Sequence, residues 1–123
     1  MTGHVIYVDA GFSKGKGKLA WYDETTGKSS FKTSSCSDSF RCEYAAIVFA
    51  LEKCKDIKKG DDVEIRLDNE VVVKQLNHES GINDDDVREM ALRIWEWADK
   101  KEGKVAFRRV PRRENKAGKI LGS

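Results

Sequence analysis

Val5-Ile6-Tyr7-Val8-Asp9-Ala10-Gly11 decides the fold of this chain. Over residues 4–10, Val5, Tyr7 and Asp9 alternate with Ile6, Val8 and Ala10, the period-two repeat of a strand. Both faces carry apolar residues, which predicts a central strand covered on its two sides. Asp9 is the anomaly in that run. A carboxylate beside Val5 and Tyr7 is costly to bury unless something satisfies it.

Working outward, residues 11–18 read as a Gly/Lys loop. Residues 19–23 and 29–33 follow as two short strands joined by a Thr25-Thr26-Gly27 turn. Three consecutive antiparallel strands are the expected result. Residues 34–41 are polar and lead into a helix over 42–55. Its apolar stripe is Tyr44, Val48 and Leu51, with Ile47, Ala50 and Cys54 beside it. Residues 63–68 alternate as a strand, and a short helix over 70–76 follows at once. Asn83 is the expected cap of a longer helix opened by Asp84, Asp85 and Asp86, whose charges suit a helix N-terminus. Val87, Met90, Ala91, Ile94, Trp97 and Ala98 mark its buried stripe, and Lys100, Lys101 and Gly103 end it. A fifth strand over 104–110 is closed by Pro111, and residues 114–121 suit a short terminal helix. The order β-β-β-α-β-α-α-β-α predicts one mixed sheet with helices against it. No repeat or linker interrupts it, so residues 1–123 are expected to form a single domain.

The bulk numbers agree with that size. The chain has 123 residues, 39% of them hydrophobic and 36% charged, in the range of an ordinary globular domain despite the high charge. No apolar run approaches the length of a spanning helix. Met1-Thr2-Gly3-His4 carries no signal-peptide pattern, so a cytoplasmic protein without membrane contact is expected. Lys and Arg number 23 against 21 acids, a net charge of +2 that is too mild to point to nucleic acid without a local cluster. Cys36, Cys42 and Cys54 form no C-x-x-C pair, and His4 and His78 lie far from them, which argues against zinc. Reduced, partly buried thiols are the expected state.

Three acids stand apart from the solvated majority. Asp9 lies in the first strand, Glu43 shares the inward helical spacing of Ile47, Ala50 and Cys54, and Asp68 ends the fourth strand, where open α/β sheets place ligands. Any one of them alone is more readily a structural acid. Three carboxylates converging at one place, however, repel one another without a cation, and oxygen-only ligands favour Mg²⁺ or Mn²⁺. Lys14, Lys16 and Lys18 form either a solvated hairpin tip or a contact to a phosphate backbone, and no P-loop spacing is present. Trp97 is expected in the core and Trp95 half exposed. Arg108, Arg109, Arg112 and Arg113 are the densest basic cluster, read either as surface charge or as phosphate contacts.

With these residues in view, the chain resembles the type 1 ribonuclease H family. Val5–Gly11 resembles that family's first strand. Arg41-Cys42-Glu43-Tyr44-Ala45-Ala46-Ile47, running on to Ala50-Leu51, looks like its acidic helix. Val63-Glu64-Ile65-Arg66-Leu67-Asp68-Asn69-Glu70 is similar to its second-Asp strand and the helix after it. Val110-Pro111-Arg112-Arg113-Glu114-Asn115 resembles the segment before its final helix. The motifs occur in the right order over nearly the whole chain, with 34 residues from Asp9 to Glu43 and 25 from Glu43 to Asp68. The resemblance implies an α/β ribonuclease H-like fold: a five-stranded mixed sheet, its first three strands antiparallel, with helices on both faces.

It also implies that Asp9, Glu43 and Asp68 are three of four metal-binding carboxylates, with Asp9 bridging two ions. The fourth, an Asp four residues after the position of Asn115, is replaced here by Lys119, or by Gly118 if one residue is deleted. Lys119 is then the candidate for part of that electrostatic role, with Glu114 as a substitute ligand or a solvent-facing Lys119 as alternatives. Arg112 and Arg113 occupy the stretch of the family's loop histidine, and its basic handle is missing. Asn69, Asn115, Arg112, Arg113, Lys14 and Lys16 are the candidate nucleic-acid contacts. The implied activity is a divalent-metal-dependent endonuclease, using Mg²⁺ or Mn²⁺ and no small-molecule cofactor, that hydrolyses the RNA strand of an RNA/DNA hybrid as a monomer. The alternatives are a catalytically impaired hybrid-binding module of the same fold and a resolvase-like nuclease.

Overall fold

Strand β1 (Gly3–Ser13) is the middle strand of five, and its alternation sorts it between two cores. Ile6 and Val8 are fully buried in the larger one, while Tyr7 joins Ala20, Val110 and Ala117 on the other face. The computed structural model describes residues 3–122. Met1 and Thr2, which open the run read for a signal peptide, and Ser123 lie outside the described residues.

Around β1 the sheet has the order β3-β2-β1-β4-β5. β2 (Lys16–Asp23) and β3 (Ser29–Ser34) are antiparallel to their neighbours. β4 (Asp62–Leu67) and β5 (Val105–Arg109) run parallel to β1. Three helices cover one face: α1 (Ser39–Lys53), α2 (Glu70–Leu76) and α3 (Asp85–Lys101). Tyr44, Ile47, Val72, Leu76, Val87, Ala91 and Ile94 carry them into the larger core with Ile6 and Ile65. The other face is covered by the turns that follow an exposed 3₁₀ turn (Arg112–Glu114), with Ala117 in the smaller core and Ile120 and Leu121 packed on it. This is the mixed five-stranded sheet expected of the sequence. No helix among the described residues is long and apolar enough to cross a membrane.

Four local expectations are corrected. Residues 11–18 are not a loop: β1 and β2 run on until Ser13 faces Lys16 across the two-residue turn Lys14-Gly15. Both turn residues have positive φ, 52° and 76°, as the type I′ hairpin turn demands. Helix α1 begins before residue 42, because Asp38 caps it by accepting from the Arg41 N–H. Helix α3 is capped by Asp84 rather than Asn83, with Oδ1 accepting from the Val87 N–H at 3.1 Å. Residues 114–121 form successive tight turns bonded three residues apart, not an α-helix. Asn115 explains the departure, since its side chain takes the Ala117 N–H that a helix would use elsewhere.

The thiol expectation also fails in part. Cys36 and Cys42 form a disulfide with their Cα atoms 5.6 Å apart, tying the chain after β3 to the first turns of α1. Cys54 is the free thiol, buried and pushed up to about 12, mainly by that burial. At the far end of β1 the buried His4 lies between Asp23, 2.8 Å from Nδ1, and Asp61, 3.2 Å from Nε2.

Candidate active site

Parallel pairing brings two acids together. Tyr7 stands opposite Arg66 in the β1–β4 ladder, so two residues further along each chain lie Asp9 and Asp68. Asp68 immediately follows β4 and precedes Asn69, whose Oδ1 caps α2 by accepting from the Val72 N–H at 3.2 Å. Glu43 reaches the same place from the start of α1. One carboxylate oxygen from each of Asp9, Glu43 and Asp68 lies within 4.8 Å of the others. These are the carboxyl ends of parallel strands, where α/β sheets bind ligands.

The cluster is electrostatically strained. Burial, and then Asp68, pushes the Asp9 carboxyl up to about 6 from its usual range. Burial pushes Glu43 up to about 8, with Asp9 and then Asp68 adding to the shift. The Arg112 charge opposes both shifts. Asp9 Oδ1 and Glu43 Oε2 are buried without a hydrogen-bond partner. Unpaired buried acceptors at the meeting point of three acids are what a bound cation would satisfy.

The other candidate residues divide into those at the cluster and those away from it. Asn115 is only 3% exposed, and its Nδ2 donates to the Val8 carbonyl at 2.9 Å and to Asp68 Oδ2 at 3.3 Å. It is therefore a residue that positions Asp68, and burial removes it from the role of surface donor to sugar or phosphate. The sequence offered only its place in a family-like segment, because a polar side chain bonded across three segments leaves no periodic signal. Arg112, Arg113, Asn115, Gly118 and Lys119 line one cavity of about 390 Å³. Gly118 is buried and Lys119 exposed, so neither position brings a fourth carboxylate, and Glu114 is exposed. Among the described residues the acidic group able to hold a metal is Asp9, Glu43 and Asp68 alone. Lys14 and Lys16 sit exposed at the β1–β2 hairpin tip, and Arg108 and Arg109 are exposed on β5. Trp95 and Trp97 are both half-buried, and Trp95 stacks on His78 while its indole N–H donates to the Leu76 carbonyl.

This arrangement has recognisable relatives. No curated protein matches the chain. Among solved structures it is similar to ribonuclease H1 from the halophilic archaeon Halobacterium salinarum, with 25% identity and a TM-score of 0.85, covering 97% of this chain and 93% of that one. A ribonuclease H1 isolated from compost by a metagenomic approach, solved in complex with an RNA/DNA hybrid, shares the fold at 19% identity and a TM-score of 0.83, over 96% of this chain and 99% of that one. The N-terminal ribonuclease H domain of a Mycobacterium tuberculosis protein shares it at 17% identity and a TM-score of 0.82, over 94% and 86%. The family described as reverse transcriptase-like matches residues 18–122. With that match over most of its length and with this sheet, the chain belongs to the reverse transcriptase-like family of ribonuclease H-fold domains.

Proposed function

We propose that this chain is a divalent-metal-dependent endonuclease that hydrolyses the RNA strand of an RNA/DNA hybrid. The observation that carries the reading is the pair of orphaned oxygens, Asp9 Oδ1 and Glu43 Oε2, where three carboxylates converge. Oxygen-only donors of this kind suit Mg²⁺ or Mn²⁺. Asp9, Glu43 and Asp68 would hold the ion. When bound, it supplies Lewis-acid polarisation of a phosphodiester and a water activated for attack at neutral pH.

The chain's own residues do the rest. Asn115 fixes the Asp68 carboxylate by its amide hydrogen bond. Arg112, Arg113 and Lys119 surround the adjoining cavity with positive charge suited to a nucleic-acid backbone. Lys14 and Lys16 add exposed positive charge at the hairpin tip. The RNA/DNA hybrid as substrate is supported by a relative of the same fold solved with one bound. The 2′-hydroxyl is the feature by which such a site tells RNA from DNA.

Labelled hybrid, duplex RNA and duplex DNA, each with Mg²⁺, Mn²⁺ or chelator, test the reading directly. Cleavage is expected for the RNA strand of the hybrid only, and only with metal. Asp9→Asn is expected to abolish it while keeping the fold and hybrid binding, because an amide lacks the charge a cation needs. Activity within threefold of the parent would remove Asp9 from the mechanism. The absence of a fourth carboxylate at the cluster among the described residues favours a second reading, a hybrid-binding module with an impaired site. Tight hybrid binding with no cleavage in either metal would select it.

A further inference from the structure

Resting on the hybrid-cleaving reading, we infer that a second cavity, joined to the first at Lys119, is a subsite for an unpaired nucleotide on a single strand running on from the hybrid. Tyr22, Ser29, Lys116, Lys119 and Ile120 line this cavity of about 340 Å³, a size that suits a small organic ligand. Lys119 also lines the cavity shared by Arg112, Arg113, Asn115 and Gly118. That first cavity meets the acids through Asn115, whose amide donates to Asp68 at 3.3 Å. A strand phosphate seated on Lys119 therefore stands at the junction of both.

The sheet sets the second cavity beside the catalytic row. Ser29 pairs with Tyr22, and Tyr22 pairs with Tyr7, across β3, β2 and β1. Two residues along each strand, on the same face, Phe31 pairs with Ala20 and Ala20 with Asp9. Two strand spacings put the Phe31 backbone roughly 10 Å from that of Asp9. Phe31 is 63% exposed, the most exposed large apolar side chain among the described residues. A second aromatic face thus stands open next to Ser29.

The lining has the chemistry of a nucleotide site. Tyr22 is half-buried, with its ring centroid 6.5 Å from that of Tyr7, so it presents a supported aromatic face. Ile120 adds an apolar wall and Ser29 a hydroxyl for a base or sugar. The two lysines are not equivalent. Lys116 is paired with Glu24 and lies over the Tyr7 ring at 5.7 Å. Lys119 is exposed and forms no ion pair among the described residues, which leaves it as the cation for a phosphate. Bases inside a duplex are already stacked on one another, so only an unpaired base can use the Tyr22 ring. That chemistry selects a single strand over the hybrid itself.

The test compares hybrids that differ only in a short single-stranded extension. The RNA strand carries 2′-O-methyl groups, and each end of each strand is extended in turn. The full chain in Mg²⁺ is titrated against each hybrid by fluorescence anisotropy, always relative to the blunt hybrid on the same protein. An extension at one end should tighten binding about tenfold, within the range for a base stacked on an aromatic side chain. An abasic extension keeps the phosphates without the bases and should lose most of that gain. Tyr22→Leu should lose it as well, while Tyr22→Phe keeps the ring and should retain it. In the parent chain, a thiolated pyrimidine placed in the extension should photocrosslink to peptides carrying Tyr22 or Ile120, a readout that depends on no variant's folding. Equal affinity for blunt and extended hybrids at every end would overturn the subsite while leaving hybrid cleavage in place. So would a gain that survives Tyr22→Leu or removal of the bases, or crosslinks that all fall elsewhere. No binding of any hybrid would overturn both readings.

Discussion

Asn115 ties Asp68 to β1: its Nδ2 donates to Asp68 Oδ2 at 3.3 Å and to the Val8 carbonyl, one residue before Asp9, at 2.9 Å. Three segments far apart in sequence meet at one buried amide. Truncation should therefore cost more than one bond. Asn115→Ala leaves the buried Val8 carbonyl and the Ala117 N–H without their partners, a loss of about 1–3 kcal/mol for each group left unsatisfied. Thermal unfolding should show it as a clear drop in Tm. Because Asp68 also loses its anchor, Mn²⁺ affinity should fall with stability. Asn115→Asp is expected to be no rescue, since an ionised carboxylate cannot donate to Val8 and repels Asp68. An Asn115→Ala variant with unchanged Tm and unchanged Mn²⁺ binding would show that the amide positions nothing.

The raised carboxyls predict how the metal-free chain responds to pH. Asp9, near 6, and Glu43, near 8, both bind protons more tightly folded than unfolded. Between the ordinary carboxylate range and pH 8, the folded chain therefore carries more protons than the unfolded one. Stability should fall as pH rises through that window, first through Asp9 and then through Glu43. In chelator, Tm at pH 8 should lie below Tm at pH 5.5, by on the order of 5 °C for each kcal/mol lost. Divalent metal should reverse the trend, because ions bind the deprotonated acids and release protons. Scanning calorimetry across pH, with and without Mg²⁺, checks both signs. A Tm that rises from pH 5.5 to pH 8 in chelator would contradict the strained-cluster account.

What the sequence made legible was local or in register. The alternation over Val5–Ala10 gave the central strand because each residue reports its own face, and β1 is indeed covered on both. Asp9 and Glu43 stood out because a charge at an inward-facing position breaks the pattern around it. The misses are contacts that periodicity does not encode. Lys14-Gly15 looked like loop because Lys in a type I′ turn lacks the usual Asn or Asp signal. The Cys36–Cys42 link depends on where the chain after β3 meets the first turns of α1, which neither segment reveals alone. Residues 114–121 suit a helix by composition, yet a single side chain, Asn115, redirects the backbone into tight turns. His4 gave no signal at all, since its partners Asp23 and Asp61 lie 19 and 57 residues away.

Surface charge should govern affinity for a hybrid. Arg108, Arg109, Arg112 and Arg113 are all exposed on or just beyond β5, and Lys14 and Lys16 stand at the hairpin tip. Phosphate contacts release counterions, so log affinity should fall linearly with log salt. Fluorescence anisotropy with an uncleavable hybrid between low and physiological salt measures the slope. Arg113→Ala and Lys16→Ala should each weaken binding and flatten that slope by roughly one if each removes one phosphate contact. A flat dependence in the parent chain would contradict phosphate contact by this surface.

Gly17 is glycine for space, and the disulfide defines that space. It is buried on β2, and a Cβ built there would lie 2.5 Å from the sulfurs of both Cys36 and Cys42. A free cysteine side chain could swing aside, but two sulfurs bonded to each other restrain one another. Gly17→Ala is therefore an overpacking change, expected to cost about 1–3 kcal/mol in the oxidised chain. Reductant should narrow the gap between variant and parent, because each thiol regains its own rotamers. The displacement also has an expected direction that matters for the site: Cys42 immediately precedes Glu43 in α1, so pressure on the sulfurs should shift the start of the acidic helix and lower Mn²⁺ affinity. Chemical denaturation of both proteins, with and without reductant, together with Mn²⁺ affinity under the same conditions, measures the two effects. A stability gap that stays the same after reduction would show that the close approach of Gly17 is set by the sheet and not by the sulfur–sulfur bond.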